Sequence, residues 1–381
     1  MVDTEAELKT TAFQPIIERL GAEMTAWTGY SSPNRFSDPL DEYWAVRQRV
    51  GVYDLSPLRK FEFKGADALA LAQKLVTRDL SRMKDGQVHY TPMCDEDGGI
   101  VDDCTVFRFG PEHAWLISGN EADAEWILGV AAGRPLAGRK VQAANVTDRL
   151  PNLAVQGPQS RDVLRTLVGP VIDGLKYYWF TRATIKDVPV VLSRTGYTGE
   201  IGYEIFLAPD HDAQARAETI WNAVMEAGQS ADIRPCGLLS LDMVRVEYGL
   251  LFYGYDMDRS NNPFEVGLDG LVSLDGPDFI GKEALQAIRT RGVHRKLVGL
   301  EVEAPEAIGG GTVLAQDGNE VGVITSPNYS PLLKKSIALA FVKTPLATLG
   351  QRVTVDDSGT HYAATVARTP FYDPDKKRVR S

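Results

Sequence analysis

Two aspartates stand side by side in the stretch Ile100-Val101-Asp102-Asp103-Cys104-Thr105-Val106, directly after the turn Asp95-Glu96-Asp97-Gly98-Gly99. Apolar residues flank the pair, and successive side chains of an extended strand point to opposite faces. One of the two carboxyl groups is therefore expected to face inward, where an ionised group needs a partner. The plainer reading is a turn at a strand edge. A second polar cluster, Ser193-Arg194-Thr195-Gly196-Tyr197-Thr198-Gly199-Glu200-Ile201-Gly202-Tyr203-Glu204, interleaves glycines with tyrosines and glutamates. Glycine lets a backbone approach something closely, and tyrosine offers stacking area with a polar tip. That composition suits a flat, polar heteroaromatic ligand, and it is equally that of a glycine-rich hairpin that binds nothing. A third stretch, Tyr253-Gly254-Tyr255-Asp256-Met257-Asp258 running on to Asn261-Asn262-Pro263-Phe264-Glu265, is by itself only a polar loop.

Other chemistries lack their residues. There is no GxGxxG opening a helix and no GxxxxGK[ST], so neither familiar phosphate cradle is present. HExxH and GxSxG are absent too. The histidines, His89, His113, His211, His294 and His361, are scattered without metal-site spacing, so no metal is expected. Cys94, Cys104 and Cys236 form no CxxC pair, and an odd count argues for free thiols in a reducing compartment.

The elements that position these residues mix helix and strand without strict alternation. Residues 5–21, 41–49, 66–76, 123–134, 160–167, 213–226 and 238–247 read as helices. Residues 52–65 alternate apolar and polar, as in Phe61-Glu62-Phe63-Lys64, and read as one half-buried strand. Residues 88–94, 100–109 and 114–118 read as a β-meander, residues 152–155, 183–193 and 203–207 as strands, and residues 297–366 as strand-rich. The pattern is α+β with a β-rich C-terminal domain, and Asp275-Gly276-Pro277 is the expected boundary before it.

A chain of 381 residues is long enough for two or three domains, and its 44% hydrophobic and 24% charged content is that of a globular protein. The formal net charge of −10 excludes a non-specific binder of nucleic acid or anionic membrane. The basic tail, Lys376, Lys377, Arg378 and Arg380, reads as a solvated, frayed end. The first residues are acidic and carry no signal-peptide pattern, and no run approaches the roughly 18 apolar residues of a membrane span. A cytoplasmic location is expected.

Taken together and in order, several segments resemble the glycine-cleavage T-protein (aminomethyltransferase) family. They are Val50-Gly51-Val52-Tyr53-Asp54-Leu55-Ser56, Met93 through Asp103, Gln156-Gly157-Pro158, Ser193 through Glu204, Asp256 through Leu268, Phe279-Ile280-Gly281-Lys282-Glu283-Ala284-Leu285, Ile324-Thr325-Ser326, Ser330-Pro331, Lys335 through Ala340, and Pro370-Phe371-Tyr372. The resemblance spans nearly the whole chain. It implies a three-domain cloverleaf with tetrahydrofolate in a central channel. Residues 1–52 and 146–274 would form a discontinuous folate-binding domain, 53–145 a second α+β domain, and 275–381 the β-rich one. Asp103 matches the family's essential carboxylate beside the reactive nitrogen, Glu204 the carboxylate that holds the pterin, and Tyr90 and Tyr197 the tyrosines lining the channel.

The departures bear on the one-carbon donor. The family's Gly-Leu-Gly-Ala-Arg-Asp is Gly237-Leu238-Leu239-Ser240-Leu241-Asp242, so its folate-tail arginine is Leu241, with Arg245 the remaining cation nearby. Tyr30 and Trp179 stand where related demethylases of small molecules place aromatic walls, which suit a methylsulfonium or methylammonium group or an aryl methyl ether. The resemblance thus implies a tetrahydrofolate-dependent methyltransferase acting on a small methylated donor, with an aminomethyltransferase served by a lipoyl carrier protein as the alternative. A folate-binding role in iron–sulfur cluster assembly would require a cysteine within Gly196–Glu200, and none is there.

Overall fold

The computed structural model describes residues 7–133, 140–208 and 212–381. His211 and the extreme ends of two expected helices, 5–21 and 123–134, lie partly or wholly outside them.

Three sheets carry the architecture, besides a hairpin of Glu23–Trp27 and Tyr30–Arg35. The first runs in the order Phe180–Ile185, Val188–Ser193, Gly202–Leu207, Asn152–Gln156, Gly51–Asp54, Arg234–Pro235. The second runs Val88–Cys94, Ile100–Gly110, His113–Ser118, Arg59–Lys64, Gln142–Asn145. The third closes into a barrel of Arg295–Val302, Lys335–Lys343, Asn319–Ser330, Val313–Gln316, Arg352–Asp357 and Thr360–Ala367, filled by Leu300, Leu314, Ile324, Ala340, Val355 and their neighbours.

Alternation along the strands gives each of the first two sheets an outer and an inner face. Leu153, Val155, Ile205 and Leu192 of the first sheet pack outward against the helices Ser160–Val168 and Ala213–Ala227. Met93, Cys104, Val106 and Leu116 of the second pack outward against the helices Ala68–Leu75 and Asp123–Ala132. The inner faces meet each other. Phe107, Trp115, Val88 and Ile117 from one sheet and Val191, Phe206 and Phe180 from the other form a single apolar cluster. The Phe107 ring lies 5.3 Å from Phe180 and 5.4 Å from Phe206. This zip fixes the spacing of whatever polar residues share those faces.

Several local expectations give way to tertiary context. Residues 52–65 are two strands, Gly51–Asp54 and Arg59–Lys64, in different sheets. Between them Asp54 Oδ1 accepts from the Ser56 N–H at 2.9 Å, and Pro57 has no N–H to give a ladder, so the chain turns from one sheet to the other. Residues 183–193 form a hairpin whose turn residues Lys186 and Asp187 have φ of 47° and 63°, the signature of a tight two-residue loop. The first helix shrinks to Gln14–Arg19, because Lys9 pairs with Tyr30 as a β-bridge instead. The basic tail is docked rather than frayed: Val379 is buried and Arg378 Nε donates to Glu200 Oε2 at 2.9 Å. Among the described residues no helix is long and apolar enough to cross a membrane.

A buried ion cluster fastens the barrel to the first sheet. Arg47 donates to Glu247 Oε2 through Nε and Nη2 (2.8 and 2.7 Å), to the Thr198 carbonyl at 2.7 Å, and to Glu200 Oε1 at 3.2 Å. The Tyr43 hydroxyl at 2.6 Å and the barrel's Ser330 hydroxyl donate to the other Glu247 oxygen. Removing one partner strands the rest without a counter-charge. Glu247→Ala is therefore expected to lower the unfolding free energy by about 3–5 kcal/mol in a urea titration; a loss under about 1 kcal/mol would mean that the cluster contributes as weakly as a surface pair.

Candidate active site

The strand Ile100–Gly110 puts its two aspartates on opposite faces. Asp102 points outward into the helix-covered side, fully buried. Its Oδ2 accepts from the Gly119 and Asn120 N–H groups at 2.8 and 2.9 Å, and its Oδ1 from the Asp103 N–H at 2.8 Å. Asp103 points inward, on the face shared with Phe107, and accepts at Oδ2 from the Tyr90 hydroxyl at 2.5 Å. Burial, and then the neighbouring Asp102 charge, push the Asp103 carboxyl up to about 8. Desolvation first and Asp103 second push the Tyr90 phenol up.

Across the interface, Glu204 projects from the strand Gly202–Leu207 on the face that also carries Phe206 and Asn152. Thr195 Oγ1 donates to Glu204 Oε2, and Asn152 Nδ2 lies 3.5 Å from Oε1. Burial raises the carboxyl, opposed by Thr195 and by Lys60. Lys60 itself is fully buried; its Nζ donates to the Ser56 carbonyl at 2.9 Å, and burial pulls it down to about 7 against the pull of Asp54 and Glu204.

Tyrosines lie near the two carboxyls. The Tyr178 phenol feels both Asp103 and Glu204, after its own burial and its neighbour Tyr177. Its backbone is left-handed at φ 60°, costly for an aromatic residue, and is held by the Tyr178 N–H donating to the Arg194 carbonyl at 3.0 Å. The Tyr197 hydroxyl donates to the Leu251 carbonyl, and its phenol is raised by burial with Asp103 among the nearby charges.

The remaining expected residues lie elsewhere. Trp179, next to Tyr178, turns the other way. It packs with the outer core of the first sheet, beside Gly86 and with Lys176 Nζ 6.0 Å from its ring. Tyr30 is buried under Arg59, whose guanidinium is 5.1 Å from its ring, and its hydroxyl donates to Asp148. It borders a separate cleft of about 350 Å³ with Lys9, Thr147 and Arg149. Arg245 is buried with its donors engaged by Asp242 (2.7 Å), Asp256 (2.6 Å), the Leu250 carbonyl (3.1 Å) and Ser326 (2.9 Å). The glycines of the Ser193–Glu204 segment answer to protein neighbours: a Cβ on Gly196 or Gly202 would sit 2.1 Å from Gln156 Oε1, and one on Gly199 2.2 Å from the Tyr248 ring.

Sequence reasoning missed Tyr178, Lys60 and Asn152. A polar residue in the strand Asn152-Leu153-Ala154-Val155-Gln156, buried at every position, was the available signal for Asn152. Among the described residues no group of three or more His, Cys, Asp or Glu is arranged to hold a metal ion.

Comparison with known proteins agrees along the chain. Residues 13–276 match the GCVT N-terminal domain and residues 295–373 the glycine cleavage T-protein C-terminal barrel domain. An aminomethyltransferase of Halothermothrix orenii is 36% identical over 367 residues, covering 96% of this chain and 100% of that protein. A trimethylamine-oxide aldolase of Ruegeria pomeroyi is 41% identical over 395 residues, covering 100% of this chain and 49% of that protein. The structure of the glycine cleavage system aminomethyltransferase T from Bartonella henselae superposes with a TM-score of 0.87 at 26% identity, over 97% of this chain and 99% of that one.

A carboxyl raised from about 4 to about 8 binds its proton more tightly in the folded than in the unfolded state. Its contribution therefore makes stability fall as pH rises through that window. Carbon-13 NMR of aspartate-labelled protein should show one carboxyl titrating near 8 that disappears in Asp103→Asn. Titration of that group near 4 would contradict the account.

Proposed function

Because this chain belongs to the glycine cleavage T-protein family, we propose that it is a tetrahydrofolate-dependent transferase that moves a methyl group from a small S-, N- or O-methylated donor to N5 of tetrahydrofolate. One observation carries the reading: Asp103 with Tyr90 on one sheet and Glu204 on the other stand on the two inner faces that meet in one apolar cluster. The donor set fits a reduced pterin. Each Glu204 oxygen keeps lone pairs free to accept from its amino and ring N–H groups, and Tyr90, Tyr178 and Tyr197 supply stacking area with polar tips.

The pterin's N5 supplies the nucleophile when folate is bound. With folate bound, the ionised form of Asp103 would take the proton released from N5, while the donor's sulfur, nitrogen or oxygen keeps the electron pair of the bond to the departing methyl group. Tyr90 orients Asp103 through the 2.5 Å hydrogen bond. Holding donor and acceptor in one closed interior supplies much of the rate by proximity. Arg245, committed to Asp242 and Asp256, acts by shaping the loop whose Leu251 carbonyl anchors Tyr197. Tyr178 takes the lining role expected of Trp179. Tyr30 would meet a donor only at the Arg59 cleft.

Two features favour a small methylated donor. Leu241, in place of the family's arginine, is 7% exposed within an apolar cluster of Tyr43, Val46, Tyr53 and Val244, where a charge would be stranded. The relative from Ruegeria pomeroyi is named for a methylated amine oxide. The second reading, an aminomethyltransferase that takes its carbon from a lipoyl carrier protein, is favoured by the full-length match to proteins of that name. Buried free thiols at Cys94, Cys104 and Cys236 accord with a cytoplasmic setting, and the acidic balance with a role away from nucleic acid and membrane surface.

Single-turnover conversion of tetrahydrofolate, read by mass spectrometry against sulfonium, methylamine, methoxybenzoate and aminomethyl-lipoyl carrier donors, decides between the readings. A 5-methyl product from a small donor is expected; a 5,10-methylene product formed only with the loaded carrier overturns the proposal. In the productive reaction, Asp103→Asn should lower turnover by about 10²–10⁴-fold while folate affinity stays within about threefold. Full turnover in that variant would remove Asp103 from the chemistry.

A further inference from the structure

Asn152 opens the central strand of the first sheet, is 0% exposed, and faces inward beside Glu204 and Phe206. Its backbone is satisfied: its N–H donates to Ser56 Oγ at 3.2 Å, and its carbonyl accepts from the Leu55 N–H at 3.1 Å. Its carboxamide is half used. Glu204 offers only acceptor oxygens when ionised, so the amide must turn Nδ2 toward it, and the 3.5 Å approach to Oε1 has that sense. Oδ1 is then left without a protein donor.

The hydroxyl donors beside Glu204 are committed. Thr195 Oγ1 donates to Glu204, and Ser193 Oγ is 2.8 Å from Thr195 Oγ1. Lys60 Nζ directs two of its three N–H groups to the Ser56 and Leu55 carbonyls at 2.9 and 3.4 Å, and none to Asn152 Oδ1. The Asp54 side chain accepts from Thr11 Oγ1 at 2.6 Å and from the Ser56 N–H at 2.9 Å. A buried carbonyl oxygen without a donor is costly, and buried polar groups in folded proteins are almost always paired. Here the orphaned acceptor lies beside a carboxylate that is itself an acceptor, on the wall of the candidate site. Asn152 Oδ1, which has no donor, and the Glu204 oxygens, which keep lone pairs beyond those met by Thr195 and Asn152, form the complement of a planar group rich in N–H, of the amidine or guanidine type.

We propose that Asn152 is a second residue that reads the ligand: its Oδ1 accepts one N–H of the 2-amino group of the pterin, while Glu204 accepts the other and the adjoining ring N–H. This rests on the folate reading above. It makes the 2-amino group, rather than the ring system at large, the feature that this wall recognises.

The test compares equilibrium binding of tetrahydrofolate and of its analogue carrying a methyl group in place of the 2-amino group, together with the thermal midpoint of the ligand-free protein. Asn152→Leu is nearly volume-conserving and removes the orphaned acceptor; Asn152→Ala leaves space instead. The proposal expects tetrahydrofolate affinity to fall about tenfold in both variants, the loss of one hydrogen bond to a buried group. Affinity for the analogue should be the same in unaltered and variant protein, and the ligand-free midpoint of Asn152→Leu should hold or rise. Equal losses for both ligands, or a lowered ligand-free midpoint in both variants, would make Asn152 structural and overturn it. Undiminished tetrahydrofolate binding, as when an internal water serves Oδ1, would overturn it too and leave the folate reading standing. Failure of the unaltered protein to bind tetrahydrofolate would bring down the folate reading, and this proposal with it.

Discussion

Desolvation of Asp103 is the constraint on which the site depends. A carboxyl on an exposed strand edge would ionise near pH 4 and attract water. Between two apposed sheets it is pushed up to about 8, and the Tyr90 hydroxyl holds its orientation. The aromatic zip of Phe107, Trp115, Phe180 and Phe206 makes this possible, because it brings the sheets together over a large apolar area and leaves the polar residues at its margin facing inward. Asp102 belongs to the same device. Anchored by backbone N–H groups on the far side of the strand, it fixes the pleat that turns Asp103 inward, and its own carboxyl is raised well above the usual range by burial and then by Asp123.

Two of the buried ion clusters are closed on themselves. Arg47, Glu247 and Glu200 are mutually compensated, as are Arg245 and Asp256. These clusters tie the barrel, the helix Leu238–Tyr248 and the loop after Ser193 into one body around the site. Buried ion pairs of this kind specify an arrangement more than they stabilise it. Asp103 and Glu204 differ from these clusters in having no cationic partner in hydrogen-bond contact.

Much of this was legible in the residues. The Asp102–Asp103 pair announces its own geometry, since a strand must send the two side chains to opposite faces. The helix and strand types and the β-rich end also follow from periodicity and turn residues. What periodicity hides is which sheet a strand joins. Residues 52–65 alternate as one strand would, and the crossing at Ser56-Pro57 depends on partners far along the chain. The same limit hid Tyr178: in Tyr177-Tyr178-Trp179 the inward member is set by the left-handed backbone at Tyr178, which no hydropathy pattern predicts. The glycines after Ser193 promised close approach, and what approaches is Gln156 and Tyr248. Arg245 looked like a free cation because its partner Asp256 lies in a loop of no evident order.

A crystal structure of the protein with tetrahydrofolate bound would test the central claim most directly. The account predicts the pterin between the two sheets, with N5 beside Asp103 and the amino edge against Glu204. Density for folate in the Arg59 cleft, or a pterin reversed so that Asp103 meets its amino edge, would contradict it.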